Sequence, residues 1–273
     1  MPSRASSHRP RKRFGQHFLH DPGTIDRIVR AIAPQPGERL VEIGPGLGAI
    51  TVPLLSAIGE LEAIEIDRDA IRALGETCRG CGTLRVHEGD ALEFDFGALR
   101  GAGAKLRIVG NLPYNISTPL IFRLIAQREH VRDMHFMLQK EVVDRMCAAP
   151  GSDAYGRLTV MLTPSVTVTP LFDIGRGAFR PPPKVVSTFF RMTPRDRSPF
   201  PVEHPAAYAS VVAAAFAQRR KTLRNALRAL LSAEEIERAG IDPGARAEVV
   251  APDGFARLAQ AVAQHGKSST GQA

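Results

Sequence analysis

The stretch "VEIGPGLG", residues 41–48, decides the fold prediction. Its apolar start is typical of a short buried strand, and Gly44, Gly46 and Gly48 follow at alternate positions. Glycine allows the backbone to turn tightly and to approach a ligand closely. Residues 49–58, "AITVPLLSAI", then read as a helix. The pattern therefore predicts a ligand-binding loop between a strand and a helix, at the carboxyl edge of a parallel sheet.

Strands and helices alternate on both sides of this loop. Further strands are predicted over residues 61–67, 83–91, 105–114 and 133–140, with helices between them. This alternation predicts a parallel sheet that is covered on both faces. Residues 165–174 and 185–192 are strand-like without a long helix between them, which predicts an antiparallel hairpin at one edge. The predicted fold class is therefore α/β, Rossmann-like and mostly parallel, followed by a small all-helical C-terminal domain.

Composition and charge bound the function. The chain has 273 residues, of which 44% are hydrophobic and 23% charged, as in globular proteins. No apolar run approaches the ~20 residues of a membrane helix, and three cysteines fit a reducing compartment, so a cytoplasmic protein with no membrane contact is predicted. The net charge of +8 is clustered in acid-free segments, which is typical of a protein with a polyanionic partner; a solubilising surface is the alternative. The basic residues predicted to bind RNA are Arg11, Lys12, Arg13, Arg219, Arg220, Lys221 and Arg224.

Three domains are predicted along the chain. Residues 1–20 form a basic arm, 21–197 the α/β domain, and 198–273 a helical RNA-binding domain after a Pro/Arg-rich linker. The first of its helices is predicted to run without a break over residues 206–231. The Arg/Ser-rich start also has some features of a targeting peptide, but its prolines and lack of an apolar face favour a basic arm.

The spacing of the glycines separates two cofactor classes. A dinucleotide-binding loop reads G-x-G-x-x-G, whereas here the third glycine comes one residue earlier. E-x-G-x-G-x-G is typical of methyltransferases that use S-adenosylmethionine. Glu65, at the end of the next strand, can accept the ribose hydroxyls, and Asp90, after the following strand, can meet the adenine amino group. The alternative for both carboxylates is helix capping.

The stretch "GNLPYNIS", residues 110–117, predicts the acceptor site. An exocyclic amino group on a base is a poor nucleophile, because its lone pair is delocalised into the ring. Two acceptors on its N–H bonds, the Asn111 side chain and the Leu112 carbonyl, would hold it toward a methyl donor. Pro113 fixes the backbone, and Tyr114 offers a ring face for stacking. The alternative is that this stretch only forms a turn.

The motifs together resemble the small-subunit ribosomal RNA adenine dimethyltransferase family, from about Arg11 to about Leu258. The stretches that carry the resemblance are "RFGQHFL", "VEIGPGLG", "GNLPYNISTPL", "FMLQKEVVDRM", "AFRPPPKVVS" and "AFAQRRKTLRN". The resemblance implies S-adenosylmethionine-dependent N6-dimethylation of two adjacent adenines in a hairpin loop near the 3′ end of 16S rRNA. It also implies a seven-stranded sheet whose last strand is antiparallel. The predicted partner is 16S rRNA in an immature small subunit, and the predicted state is a monomer.

The resemblance also assigns site residues. The cofactor contacts would fall on His17, Leu19, Gly44, Gly46, Glu65, Asp90 and Asn111. His17 stands where the family often has asparagine, and an imidazole can still form a hydrogen bond. Phe179 matches the family's second stacking aromatic, so the target adenine would lie between Tyr114 and Phe179. No metal is predicted, because Cys78 and Cys81 lack the two further ligands of a structural zinc site.

Three other functions are alternatives to this one. The related 23S rRNA adenine methylase of the macrolide-resistance type shares the glycine loop and the N-x-P-Y motif. The stretches "FMLQKEVV" and "AFAQRRKTLRN" favour the small-subunit enzyme. An NAD(P)-dependent oxidoreductase is disfavoured by the early third glycine, and a non-catalytic RNA-binding assembly factor would not need the acceptor site.

Overall fold

The computed structural model of this protein describes residues 17–218 and 220–270, with side chains described as far as residue 265. Its strands are β1 (Phe18–Leu19), β2 (Leu40–Ile43), β3 (Glu60–Glu65), β4 (Thr83–Glu88), β5 (Leu106–Asn111), β6 (Val131–Gln139), β7 (Val166–Ile174), β8 (Phe179–Arg180) and β9 (Ser187–Pro194). Its helices are α1 (Pro22–Ile32), α2 (Thr51–Ile58), α3 (Arg68–Thr77), α4 (Phe96–Arg100), α5 (Ser117–Ala126), α6 (Lys140–Cys147), α7 (Arg157–Leu162), α8 (Pro205–Phe216), α9 (Leu223–Ala226), α10 (Ala233–Arg238) and α11 (Pro252–Thr270).

Seven of these strands form one sheet in the order β4-β3-β2-β5-β6-β9-β7. The pairs from β4 to β6 are parallel, and β6 pairs with β9 in the antiparallel sense. This arrangement confirms the predicted fold class and the antiparallel edge. The chain leaves β2 toward β3 and β4 on one side, and later adds β5 and β6 on the other. The carboxyl ends of β2 and β5 therefore flank the point where the strand order reverses, which is where open α/β sheets bind ligands.

Close packing of β2 against β5 explains the glycine that precedes Asn111. Ile43 of β2 pairs with Gly110 of β5, and a Cβ on Gly110 would lie 2.6 Å from the Ile43 carbonyl oxygen. A larger residue at position 110 would push the two strands apart. Glycine at this position therefore lets β5 deliver the Asn111 side chain directly beside the end of β2.

Local sequence signals account for the helices around the sheet. Asp21 caps α1 by accepting from the Thr24 amide at 2.8 Å, and Pro22 occupies the first turn, where no amide donor is needed. Pro53 similarly lies in the first turn of α2. These helices bury apolar side chains, such as Ile28 and Leu54, against the sheet in one core cluster. Burial of this kind is the main stabilising contribution to the fold.

A second, two-stranded sheet was not predicted. β1 pairs with β8 in the antiparallel sense, so that Phe18 faces Arg180 and Leu19 faces Phe179. Strands of two residues carry no usable periodicity, so nothing in the sequence signals this pair. This pair fixes the first described residues beside residues 179–181. Those first residues belong to the segment that was predicted to be a basic arm. The rest of that arm, including Arg11, Lys12 and Arg13, lies outside the described residues.

The chain divides into two compact units. One contains the described residues up to Val143 together with Val168–Pro194, and the other contains Asp144–Thr167 together with the described residues from Arg195 onward. The second unit has its own apolar core, which includes Val211, Leu227 and Phe255. The predicted boundary at residue 197, and the RNA-binding role of the segment after it, stay predictions.

The prediction of one continuous helix over residues 206–231 is wrong. Helix α8 ends at Phe216, and α9 begins only at Leu223. The amides of Leu223 and Arg224 donate instead to the carbonyls of Ala245 and Pro243, at 2.8 and 3.0 Å. These tertiary bonds replace the helical ones, so that Arg220 and Lys221 lie on the turn before α9 and Arg224 lies within α9. None of the described helices is long and apolar enough to cross a membrane.

Candidate active site

A cavity of about 780 Å³ opens at the carboxyl ends of the parallel strands. Nine of the residues predicted for the site line it: His17, Leu19, Gly44, Gly46, Glu65, Asp90, Asn111, Leu112 and Tyr114. They come from β1 and from the ends of β2, β3, β4 and β5, because parallel strands bring their carboxyl ends to one edge. The volume is in the range of known small-ligand pockets.

The glycine loop between β2 and α2 forms one wall of the cavity. Gly44 and Gly46 adopt φ values of 65° and 54°, in the left-handed region that only glycine enters at low cost. A Cβ on Gly44 would meet no atom within 4 Å, whereas one on Gly46 would lie 3.2 Å from the Phe18 ring. Gly44 is therefore required by its backbone conformation, and Gly46 also by the close approach of β1.

The Glu65 carboxylate is held in place by backbone amides. Its Oε1 accepts from the amides of Ile66 and Asp67, both at 2.9 Å, and its Oε2 accepts from the Gly46 amide at 3.3 Å. Only 5% of Glu65 is exposed. The two amide bonds fill the acceptor sites of Oε1, and Oε2 keeps acceptor capacity for a hydroxyl group in the cavity.

Asp90 lies half-buried at the end of the loop after β4. Its Oδ1 accepts from the Leu92 amide at 2.9 Å, which fixes the side chain in a local turn. The carboxylate keeps acceptor capacity on the cavity side and can receive an amino group. The local bond is the one that the structural alternative predicts, and the cofactor contact of Asp90 stays a prediction.

Glu42, the acid that precedes the glycine loop, was not among the predicted contact residues but lines the cavity. It is 2% exposed, and its Oε2 has no hydrogen-bond partner among the described residues. Burial raises the pKa of Glu42 to about 7, and the charge of nearby Glu65 acts in the same direction. Burial of a carboxylate is costly unless the group is protonated or receives a hydrogen bond, and the Thr51 hydroxyl acts to lower the Glu42 pKa and so offsets part of this cost. The acid of the E-x-G-x-G-x-G motif was visible in the sequence, but its burial was not.

The Asn111 side chain is oriented by the N-terminal segment. Its Nδ2 donates to the backbone carbonyl oxygen of His17 at 2.9 Å. With the amide nitrogen engaged there, Oδ1 is the end of the side chain that remains to accept a hydrogen bond. Leu112, the next residue, is 1% exposed and also lines the cavity.

Tyr114 is held at its hydroxyl and along its ring. The hydroxyl forms a 2.9 Å hydrogen bond with Ser187 Oγ. The ring centroid lies 5.8 Å from that of His17, with 33° between the two planes. The His17 Nδ1 donates to the Pro181 carbonyl at 2.7 Å. The His17 side chain thus contacts the aromatic wall of the cavity, and its predicted contact with a cofactor stays a prediction.

Phe179 is the one predicted site residue of this region that does not line the cavity. It is 2% exposed and packs in the core cluster of the first unit. The neighbouring Arg180 is exposed and lines the cavity. The predicted role of Phe179 as the second stacking ring stays a prediction, and it would require the ring to leave the core.

Of the basic residues predicted to bind RNA, those of the second unit that the structure describes are exposed. Arg220, Lys221 and Arg224 all project from the turn and the short helix that follow α8. Arg219 lies outside the described residues. Exposed positive charge on a turn is suited to phosphate contacts, but it is found on many surfaces.

The chain is similar to known proteins over nearly its whole length. The profile of the ribosomal RNA adenine dimethylase family matches residues 7–264, nearly the whole chain. The chain belongs to the ribosomal RNA adenine dimethylase family. The family prediction made from the sequence is therefore confirmed, and with it the prediction of an adenine-methylating enzyme.

Curated relatives in this family match at high identity. A protein of Methylococcus capsulatus is 56% identical over 88% of this chain and 93% of its own length, and one of Pseudomonas fluorescens is 51% identical over 96% and 97%. Both are named ribosomal RNA small subunit methyltransferase A.

Solved structures share the fold over most of the chain. A dimethyladenosine transferase from Plasmodium falciparum has a TM-score of 0.77 and 27% identity, covering 92% of this chain and 98% of its own. The 23S rRNA methyltransferase ErmE has a TM-score of 0.69 and 24% identity, covering 90% and 100%. The second similarity is evidence for the fold alone.

Proposed function

We propose that this family member transfers methyl groups from S-adenosylmethionine to N6 of two adjacent adenines, in a hairpin loop near the 3′ end of 16S rRNA. The observation that carries the proposal is the Asn111 amide, whose nitrogen is engaged by His17 and whose oxygen is left as an acceptor. It lies in the same cavity as the glycine loop and Glu65. In this proposal, the acceptor for the adenine amino group lies beside the site for the nucleoside.

The residues around the cavity fit a sulfonium nucleoside. The Glu65 carboxylate, fixed by three backbone amides, would accept a ribose hydroxyl through Oε2. Asp90 would accept from the adenine amino group, and the unpartnered Oε2 of Glu42 would accept from the amino group of the methionine part. The glycine loop allows the backbone to lie close to the ligand. When bound, S-adenosylmethionine supplies an electrophilic methyl group.

The chain's own contribution is to position the adenine amino group. Asn111 Oδ1 and the Leu112 carbonyl would accept its two N–H bonds, which turns its lone pair toward the methyl group. Tyr114 would stack on the base, which must leave its own stack in the RNA loop to enter the cavity. Such positioning, with acceptors already in place, is a large source of rate enhancement. The reaction needs no metal.

The small subunit is favoured over the 23S substrate by the relatives. The Methylococcus capsulatus and Pseudomonas fluorescens proteins, at 56% and 51% identity, carry small-subunit names. We further propose that the substrate is an immature small subunit, that the protein acts in the cytoplasm as a monomer, and that the exposed Arg220, Lys221 and Arg224 contact its phosphates, with Arg219, Arg11, Lys12 and Arg13 extending the same charge.

A methylation assay tests the proposal. The purified protein is incubated with labelled S-adenosylmethionine and either immature small subunits from a strain lacking the modification or naked 23S rRNA. The expected result is N6,N6-dimethyladenosine in the 16S hairpin only, mapped by primer extension. If only 23S rRNA is labelled, the proposed 16S rRNA substrate is wrong. Glu65→Gln should weaken binding of S-adenosylmethionine in calorimetry, while the exposed control Glu88→Gln should not.

A further inference from the structure

We propose that Ser187 is a positioning residue that holds the Tyr114 ring where the target adenine must stack. This inference rests on the proposed function and assigns a role to a residue of β9, which lies three strands away from β2 and the glycine loop that follows it. Ser187 and Tyr114 are 73 residues apart in the chain, and their hydroxyl oxygens lie 2.9 Å apart.

Ser187 is itself rigidly placed. It is 1% exposed, it is the first residue of β9, and it pairs with Gln139 of β6. The backbone of Ser187 is therefore held by the pairing of β9 with β6. A hydroxyl on such a residue has a defined position relative to the whole sheet, including the end of β5 from which Asn111 projects.

Tyr114 has less support in its own segment, where the Ser117 hydroxyl donates to the Tyr114 backbone carbonyl at 3.1 Å but nothing in the turn holds the ring. It lies in the turn of residues 112–116 between β5 and α5, where no strand or helix holds its backbone. A side chain on a turn can change its χ1 and χ2 angles, and each change moves the ring by several ångströms. The bond to Ser187 removes this freedom at the hydroxyl end, and the His17 ring limits it along the ring.

Stacking itself does not need a hydroxyl group. A phenylalanine ring would offer the same face to a base, so a tyrosine at position 114 gains only the hydrogen bond. The simplest competing explanation is that the bond merely satisfies a buried serine hydroxyl. In that case its loss would lower the stability of the fold without a specific effect on the bound adenine.

A double-mutant cycle separates the two explanations. Ser187→Ala and Tyr114→Phe each remove the bond from one side and keep the ring. We expect each variant to lower kcat/KM for immature small subunits by about 5- to 10-fold, mostly through kcat, because one ordinary hydrogen bond is lost. The double variant should be no worse than either single variant, since both remove the same interaction. Affinity for S-adenosylmethionine should stay unchanged.

A second readout follows the ring directly. In an RNA hairpin that carries 2-aminopurine at the target position, the fluorescence of this base should be quenched when it stacks on Tyr114. We expect this quenching to decrease in Ser187→Ala and in Tyr114→Phe by the same amount. Thr188→Val is the matched control, because Thr188 is the next residue of β9, is also buried, and donates to Asp173 rather than to Tyr114.

The outcomes are distinct. If kcat/KM and quenching are unchanged in Ser187→Ala, or if the two single effects multiply in the double variant, Ser187 does not position the ring. The same conclusion follows if Thr188→Val reproduces the effect, which would indicate general loosening of β9. If the wild-type protein quenches the probe but methylates no adenine, the proposed function is wrong and this inference with it. If the wild-type protein methylates adenine but the two single effects multiply in the double variant, this inference alone is wrong.

Discussion

The Asn111 side-chain nitrogen donates to the backbone carbonyl oxygen of His17 at 2.9 Å, across 94 residues of chain. A carbonyl oxygen can only accept, so the amide of Asn111 has one orientation, with Oδ1 turned away from His17. The N-terminal segment, itself fixed by the pairing of β1 with β8, thereby determines which end of the amide can meet an adenine.

Asn111→Asp tests this orientation. The aspartate keeps an acceptor of the same shape, but one of its oxygens would face the His17 carbonyl oxygen at hydrogen-bond distance, and the side chain would have to turn away. We expect kcat for methylation to fall by about 100-fold or more, as for the loss of a precisely placed polar group in other active sites. Single-turnover methylation of immature small subunits measures the effect.

RNA binding serves as the internal control for this variant. Asn111→Asp and Asn111→Ala should bind the small subunit nearly as well as the wild type in a filter assay. Asn115→Ala, in the same turn but exposed, should keep most of the activity. Loss of binding together with activity would mean that Asn111 supports the fold and has no role in orienting the amino group.

Glu42 should make the stability of the protein depend on pH. Its pKa is about 7 in the folded state, against an ordinary value of 4.5, so the folded state holds a proton that the unfolded state releases between these values. The stabilising contribution is complete below about pH 4.5 and is lost as the pH rises through 7. The free energy of unfolding should therefore decrease from pH 5 to pH 8, by at most about 3 kcal/mol from this group.

Glu42→Gln keeps the side chain neutral and should remove this dependence. At pH 8 the variant should unfold at higher urea concentration than the wild type, and at pH 5 the two should agree. Its affinity for S-adenosylmethionine should be lower at pH 8, because the negative charge beside the ligand's amino group is gone, although the Gln carbonyl oxygen can still accept. An equal difference in unfolding free energy at both pH values would show that Glu42 does not titrate in this range.

The basic turn after α8 should control salt dependence. Replacing Lys221 and Arg224 together with alanine should weaken small-subunit binding and reduce the slope of log K against log salt concentration by about 1 to 2, because fewer counterions are released. Arg238→Ala, an exposed arginine of α10, is the control and should leave the slope unchanged. A slope that is flat in the wild type would identify the basic residues as solubilising only.

Arg107 should be required for stability but not for cofactor binding. It is 6% exposed, and it donates to Glu38 at 2.5 Å, to Asp133 at 3.0 Å and to the Ile32 carbonyl at 2.7 Å. Burial acts to raise the pKa of Asp133, but hydrogen bonds from His135 and Arg107 outweigh it and hold that pKa below its ordinary value.

Arg107→Met would remove the buried cation between Glu38 and Asp133, whose remaining side-chain partners are Arg132 and His135, and we expect the free energy of unfolding to fall by about 3 kcal/mol. Arg107 lies near the amino end of β5, away from the cavity at the carboxyl end, so the affinity of the folded variant for S-adenosylmethionine should be unchanged. Urea unfolding and calorimetry measure the two quantities. A loss of affinity in a folded variant would contradict this separation.

Local patterns were sufficient for most of the sheet. Apolar runs that end in Gly44, Glu65, Asp90 and Asn111 predicted four parallel strands and placed their ends at one edge, because the side-chain period and the connection lengths are local properties of the chain. The long helix over residues 206–231 failed for the converse reason. Its interruption is caused by backbone bonds to Pro243 and Ala245, which no local pattern encodes.

The sequence by itself determined the family, the ligand loop and the residue types that meet in the cavity, since each is written in short contiguous motifs. The tertiary structure alone decided how these residues act on one another. The orientation of Asn111 depends on His17, the position of Tyr114 on Ser187, and the burial of Glu42 on strands β3 and β5 packed at its sides. These relationships join residues distant in the chain, and they exist only in the folded sheet.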